Sequence, residues 1–190
     1  MELDQLKVEL SSRMPAARFD HVLRVTETAK ALATAYDVSV KAAEQAALFH
    51  DIAKYMDQEA LRLILVEEKL DQRLLLFHHE LWHGPAGAII ANREFGVDNQ
   101  DVLNAIRYHT TGRARMSVLE KVIYVADMIE PGRDFPGVEK LRAIAKENIH
   151  QVMEACIHQS VQFLVSKKVP VFPDSIDCYN EHVIQRGIVK

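Results

Sequence analysis

The 190-residue chain has only two cysteines, Cys156 and Cys178, and this shortage leaves room for at most one disulfide and excludes a close-spaced thiolate metal site. Both read as free buried thiols in a reducing compartment. Seven glycines and six prolines leave no room for a low-complexity tract or a flexible linker, and no internal repeat is present. There is no basic surplus. The formal net charge of -4 argues against a nucleic-acid partner, although a local basic pocket for a polyphosphate is compatible with it. No stretch approaches the roughly 20 apolar residues of a membrane span. The acidic, amphipathic start MELDQLKVELSSRM lacks the basic and apolar regions of a signal peptide. These features predict a cytoplasmic protein with no membrane partner.

What remains is a helical pattern. Phe19, Val22, Thr26, Ala29, Ala33 and Tyr36 form one apolar stripe at helical period, and Leu119, Val122, Ile123 and Ala126 form another. Glycine and proline fall between the periodic segments. Helices are predicted over 2–12, 15–36, 39–53, 57–66, 71–80, 85–95, 99–109, 116–130, 137–166 and 174–187. The run VSKKVPVFP has the composition of a short extended segment with no partner strand. The expected architecture is all-α: one domain over 1–190, with its core at about 15–166 and the segment 167–190 packed on it. In the long helix 137–166, Leu141, Ile144, Ile149, Val152 and Cys156 serve either the core or a homodimer face.

The chain is rich in histidine, with nine, and four of them line up with two aspartates in the order His21, His50-Asp51, His83, His109, Asp127. Imidazole and carboxylate are the ligand types of first-row divalent metals. A carboxylate can bridge two ions, and paired ions suit the hydrolysis of phosphate esters and anhydrides. Adjacent residues on a helix diverge by about 100°, so His50 and Asp51 can face one ion only at a frayed or kinked helix end, or from opposite flanks of a cleft. His83 precedes Gly84-Pro85, a turn into a helix with proline in its first turn. His109 precedes a helix stop at Gly112. Asp127 lies on an otherwise apolar helix face, where a carboxylate needs a partner. Any one of these taken alone reads as an ordinary core or surface residue. His78, His79, His150, His158 and His182 keep that reading, since they sit at polar or helix-end positions without a matching carboxylate.

The order of the six resembles the HD-domain metal-dependent phosphohydrolases. The segments RFDHVLRVTETAKALA, AALFHDIAK, WHGPAGA, AIRYHTTGR and YVADMIEPGRDFPGV resemble, more narrowly, the YqeK family of bacterial symmetrical diadenosine tetraphosphate hydrolases. The match runs from about Arg18 to Arg142, with Met128 and Trp82 as departures near the motifs. The resemblance implies an all-α HD-domain bundle with a two-metal site between helices. His21, His50, Asp51 and Asp127 would hold one ion, His83 and His109 the second, and Asp51 would bridge them. It also implies iron, although His/Asp sites accept manganese, cobalt, nickel or zinc as well.

The implied reaction cuts diadenosine tetraphosphate into two ADP through a hydroxide shared by the ions. Asp51 and Lys54 would be catalytic. Arg18, Lys54 and Arg133 would hold the tetraphosphate, and Thr110, Thr111 and Gly112 would contact a phosphate or ribose. Glu130 would orient a histidine or a lysine. Two alternatives use the same residues. One is an HD phosphohydrolase of another nucleotide, a triphosphate, signalling nucleotide or monophosphate. The other is a non-catalytic regulatory module that binds nucleotide or metal.

Overall fold

The computed structural model describes residues 3–185, and the regular structure in that range is entirely helical. In chain order the helices are α1 (Leu3–Ser12), α2 (Ala16–Ala35), α3 (Val40–Phe49), α4 (Gln58–Glu67), α5 (His83–Phe95), α6 (Gln100–Tyr108), α7 (Val118–Ile129), α8 (Val138–Ile144), α9 (Ile149–Ser166) and α10 (Pro173–Gln185). Two short 3₁₀ turns, Gln72–Leu76 and His79–Leu81, join α4 to α5. None of the described helices is long and apolar enough to cross a membrane.

Among the differences from the sequence expectation, four have identifiable reasons. The predicted helix 137–166 is two helices, because the Asn148 side chain accepts from the N–H groups of His150 and Gln151 and so caps a new helix. The predicted helix 71–80 is replaced by the 3₁₀ turns, each opened by a side-chain cap, Asp71 for one and His78 for the other. α3 stops at Phe49, four residues before its predicted end, and residues 50–55 run on as successive turns. α5 begins at His83, two residues early, which puts Pro85 in its first turn, where a missing N–H costs nothing. The VSKKVPVFP run forms no strand; residues 167–172 are turn and coil, with Phe172 buried. Glu2, and residues 186–187 of the predicted last helix, lie outside the described residues.

One hydrophobic core runs through all of this, from Leu10 on α1 to Cys178 on α10. α2 packs along α3 and α7, α6 lies against α5 and α7, and α9 joins α7 to α10. The inward face of α3 is built from Ala42, Ala43, Ala46 and Ala47, all buried. Small side chains let the backbones of α2 and α3 approach closely, which brings His21 up to the end of α3. Gly84 does the same between α5 and α6: a Cβ there would stand 2.7 Å from the Arg107 carbonyl oxygen. Leu141, Ile149, Val152 and Cys156 are all buried in the protein's own core.

Candidate metal centre

Five helices deliver the six histidines and aspartates to one place. His21 comes from the first half of α2, His50 and Asp51 from the end of α3, His83 from the start of α5, His109 from the end of α6 and Asp127 from α7. The four imidazoles and Asp51 are all buried, and Asp127 is largely so. The pair sits where α3 ends, the first of the two arrangements that its adjacency allows. His50 closes α3 with helical backbone angles, and Asp51 sits in the turn that follows.

Each imidazole is fixed through its Nδ1. His50 donates to the Ala47 carbonyl (2.6 Å), His83 to Glu80 (2.6 Å) and His109 to Ile106 (2.7 Å), in every case the carbonyl three residues earlier. His21 donates instead to the Glu130 carboxylate (3.0 Å). A neutral imidazole with Nδ1 protonated carries its lone pair on Nε2. All four Nε2 atoms therefore face inward as acceptors. His83 Nε2 and His109 Nε2 stand 3.0 Å apart. His21 Nε2 lies 3.0 Å from Asp127 Oδ1, and the Nε2 atoms of His21 and His50 are buried without a hydrogen-bond partner. Acceptors gathered this closely with no proton between them repel one another unless a cation lies among them. The residues present therefore fit divalent metal ions.

Asp51 divides the cluster into two. Its Oδ2 faces His50 Nε2 (3.2 Å) and His21 Nε2 (3.8 Å), while Oδ1 faces His83 Nε2 (3.3 Å) and His109 Nε2 (3.8 Å). Two groups with metal-ligand geometry result, His21–His50–Asp51 and Asp51–His83–His109. The electrostatics differ between the two imidazole pairs. Burial, reinforced by His83 and His50, pushes His109 down to about 3, so its imidazole is neutral and available as a ligand. Burial works to lower His50 too, but the adjacent Asp51 charge outweighs it and raises the pKa. Burial alone would raise Asp51, yet the imidazoles around it, His50 first, hold it well below the usual carboxylate range. Asp127 is likewise held below that range despite burial, by contact with His21 and by the charges of His50 and Arg133.

The remaining expected residues fall into three positions. Arg18 Nη1 donates to Asp51 Oδ2 (2.9 Å), and Arg133 donates to Asp127 through both its side-chain and main-chain oxygens. Both arginines thus touch the aspartates directly. Lys54 pairs with Glu80 at a small cavity that Gln58, His79 and His83 also line. In the HTTG segment only Thr110 faces the imidazoles, with Oγ1 3.1 Å from His109 Nε2. The Gly112 N–H is occupied by the Tyr108 carbonyl (2.8 Å), and the Thr111 hydroxyl donates to the Gly112 carbonyl (2.9 Å). Gly112 has φ +64°, and a Cβ there would meet Cys178 Sγ at 2.9 Å, so only glycine makes this helix stop.

Sequence reasoning missed the frame behind these groups. Arg24, three residues after His21 on the same face of α2, grips Glu130 (Nε to Oε2, 2.6 Å). The EPGR turn is tied down by Arg142, which donates to the carbonyls of Ile129 (2.9 Å), Glu130 (2.8 Å) and Arg133 (2.9 Å). Arg113 grips the buried Glu120 through two hydrogen bonds and so anchors the loop after His109 to α7. The spacing of Arg24 from His21 was a usable signal; Arg142 and Glu120 gave none. His182, expected at a polar helix end, is buried, with Nδ1 on the Cys178 carbonyl.

Comparison with known proteins accords with this geometry. The family described as HD domain matches residues 18–132, a span that holds all six histidines and aspartates. A Bacillus subtilis (strain 168) protein named symmetrical bis(5'-nucleosyl)-tetraphosphatase is 47% identical over 163 residues, 86% of this chain and 88% of that protein. One of the same name from Halalkalibacterium halodurans is 44% identical over 89% of this chain and 90% of its own length. A crystal structure from Clostridium acetobutylicum, described as a predicted HD superfamily hydrolase involved in NAD metabolism, superposes with a TM-score of 0.93 at 36% identity. It covers 97% of this chain and 98% of that one. The chain therefore belongs to the HD-domain family and, within it, to the YqeK-like hydrolases.

Proposed function

We propose that this protein hydrolyses diadenosine tetraphosphate, and dinucleoside polyphosphates like it, symmetrically into two ADP at a centre of two divalent metal ions. The observation that carries the reading is Asp51, whose two oxygens face two separate imidazole pairs. The names of the relatives from B. subtilis and H. halodurans support the substrate and the symmetrical cut. Divalent ions in such a pair of sites supply Lewis acidity and draw a nucleophile from water near neutral pH. Iron is the ion we assign, on family resemblance; the donor set suits manganese, cobalt, nickel and zinc too.

The protein's own groups then divide the work. As metal ligands the four imidazoles would be neutral, so the two carboxylates would offset only part of the ions' charge and leave the centre attractive to polyphosphate. The guanidinium forks of Arg18 and Arg133 stand beside Asp51 and Asp127, where they can turn to phosphate oxygens. Lys54 exchanges the Glu80 carboxylate for a phosphate oxygen at the cavity mouth. Thr110 presents a hydroxyl at the second imidazole pair. ADP leaves as a stable anion, and the reaction needs no dedicated proton donor. In this reading the whole chain acts as one domain in the cytoplasm, on a small molecule and without nucleic acid.

The test is direct. The reduced, iron-loaded protein is incubated with diadenosine tetraphosphate and the products are resolved by anion exchange. ADP alone is expected. ATP with AMP, or no turnover of any dinucleotide, would refute the reading. Asp51→Ala should abolish turnover and lose metal, whereas exposed His158→Ala should do neither. Turnover that survives in Asp51→Ala would end the bridging role.

A further inference from the structure

The chemistry described so far gives no role to a cavity beside the second imidazole pair. It encloses about 250 Å³ between the turn after α4, the end of α6 and the segment that leads into α10. Its walls are mostly apolar and include Leu74, Pro85, Tyr108 and Phe172. Arg107 also lines it, and the Arg107 Nε is buried with no hydrogen-bond partner among the described residues. A guanidinium nitrogen in that position is costly unless something completes it. An acceptor lies opposite in character: Asp174, half-buried, raised by burial, and held only at 3.4 Å by Arg73. Asp71 and Asp174 in the wall balance Lys69 and Arg107, so the cavity carries no net charge to favour a bare anion.

Apolar walls with one unsatisfied donor and one available acceptor match a flat heterocycle that carries both hydrogen-bond functions. A guanidinium adds affinity for a π-face as well as an N–H for a ring nitrogen or ribose oxygen. The position relative to the metal centre is equally specific. Pro85 lies two residues after His83, while Arg107 and Thr111 each lie two residues from His109. Two residues of chain span at most about 7 Å. The wall of the cavity therefore lies within about a nucleotide's length of the Asp51–His83–His109 group.

We propose that this cavity seats the nucleoside of one ADP half, with Arg107 donating to the base or ribose and Asp174 accepting from its amino or hydroxyl group. The inference rests on the polyphosphate reading of the metal centre. It also gives symmetry of cleavage a physical basis, because a nucleoside held at a fixed distance from the ions presents its second phosphate to them.

The experiment is calorimetric, on the metal-loaded full chain, with two probes. ADP offers nucleoside and phosphates; methylenebisphosphonate offers two phosphoryl groups without the nucleoside or a cleavable anhydride. Arg107→Gln should weaken ADP about tenfold, a loss of about 1.4 kcal/mol, and leave methylenebisphosphonate unchanged. Asp174→Asn should do the same, and it guards against a folding defect in the first variant; thermal denaturation checks both. If both variants leave ADP binding unchanged, or weaken the two probes equally, the seat does not exist. Failure here is separable from failure of the proposed function. Selective loss of ADP in a protein that does not cut diadenosine tetraphosphate keeps the seat and refutes the reaction. Clean hydrolysis to ADP with unchanged ADP binding in the variants does the reverse.

Discussion

Glu130→Gln isolates one charge behind the metal centre without changing shape. In the wild type the carboxylate is buried and accepts from Arg24 Nε (2.6 Å), His21 Nδ1 (3.0 Å) and the Gly132 N–H. Burial alone would raise its pKa, but these donors, Arg24 foremost, bring it from 4.5 to about 2. A carboxylate whose folded pKa is depressed contributes stability that is fully present above its unfolded pKa. That contribution disappears as pH falls through the folded value. The full displacement corresponds to about 3 kcal/mol. Arg24 is 39% exposed, so solvent screens part of its charge, and about 2 kcal/mol at pH 7 is the expected contribution. Urea unfolding of both proteins in chelator, at pH 7, 5 and 3, measures it. The wild type should exceed the variant by about 2 kcal/mol at pH 7, and the gap should close progressively below pH 4.5, toward pH 2. A gap that stays constant down to pH 3 would refute the electrostatic account and leave packing as the cause. The metal-loaded variant should also bind its ions about 10–100-fold more weakly, because His21 loses the acceptor that orients it.

Two further outcomes follow from close contacts and burial. Gly84→Ala places a Cβ 2.7 Å from the Arg107 carbonyl, a main-chain atom that cannot swing away. We expect a loss of about 1–3 kcal/mol together with reduced metal content, since α5 and α6 must part and carry His83 from His109; wild-type melting with full metal would contradict this. Burial pushes both thiols, Cys156 and Cys178, up to about 12. At pH 8 a disulfide reagent should therefore label the native protein slowly and take up two equivalents at once in urea; rapid labelling of the native protein would show that the core opens there.

The ligand-type residues were legible because their chemistry is local to the residue type. A histidine or aspartate on an apolar helical face needs an account wherever the helix goes, and the order of the six carried a family resemblance. The adjacency of His50 and Asp51 allowed a frayed or kinked helix end or opposite flanks of a cleft, and α3 ends there. Helix periodicity located most of the ten helices for the same reason. It failed where a side chain cut across the pattern: the cap at Asn148 splits an apolar run that reads as continuous. The 3₁₀ turns before α5 follow from the caps at Asp71 and His78, whose reach over two residues leaves no periodic trace.

Composition and motif order by themselves determined that the chain is helical, that its chemistry is that of imidazole and carboxylate, and which six residues to watch. They put Glu130 behind a histidine or a lysine but could not say which. The partner is His21, across 109 positions, while Arg142 ties the EPGR turn from another helix and the Arg107 cavity is walled from three separate parts of the chain. Such contacts depend on how closely helices cross, and that is set by small residues such as the alanines of α3 and Gly84. The tertiary structure alone decided that Asp51 presents one oxygen to each pair of histidines, because a carboxylate's orientation is fixed by what surrounds it and not by its place in the sequence.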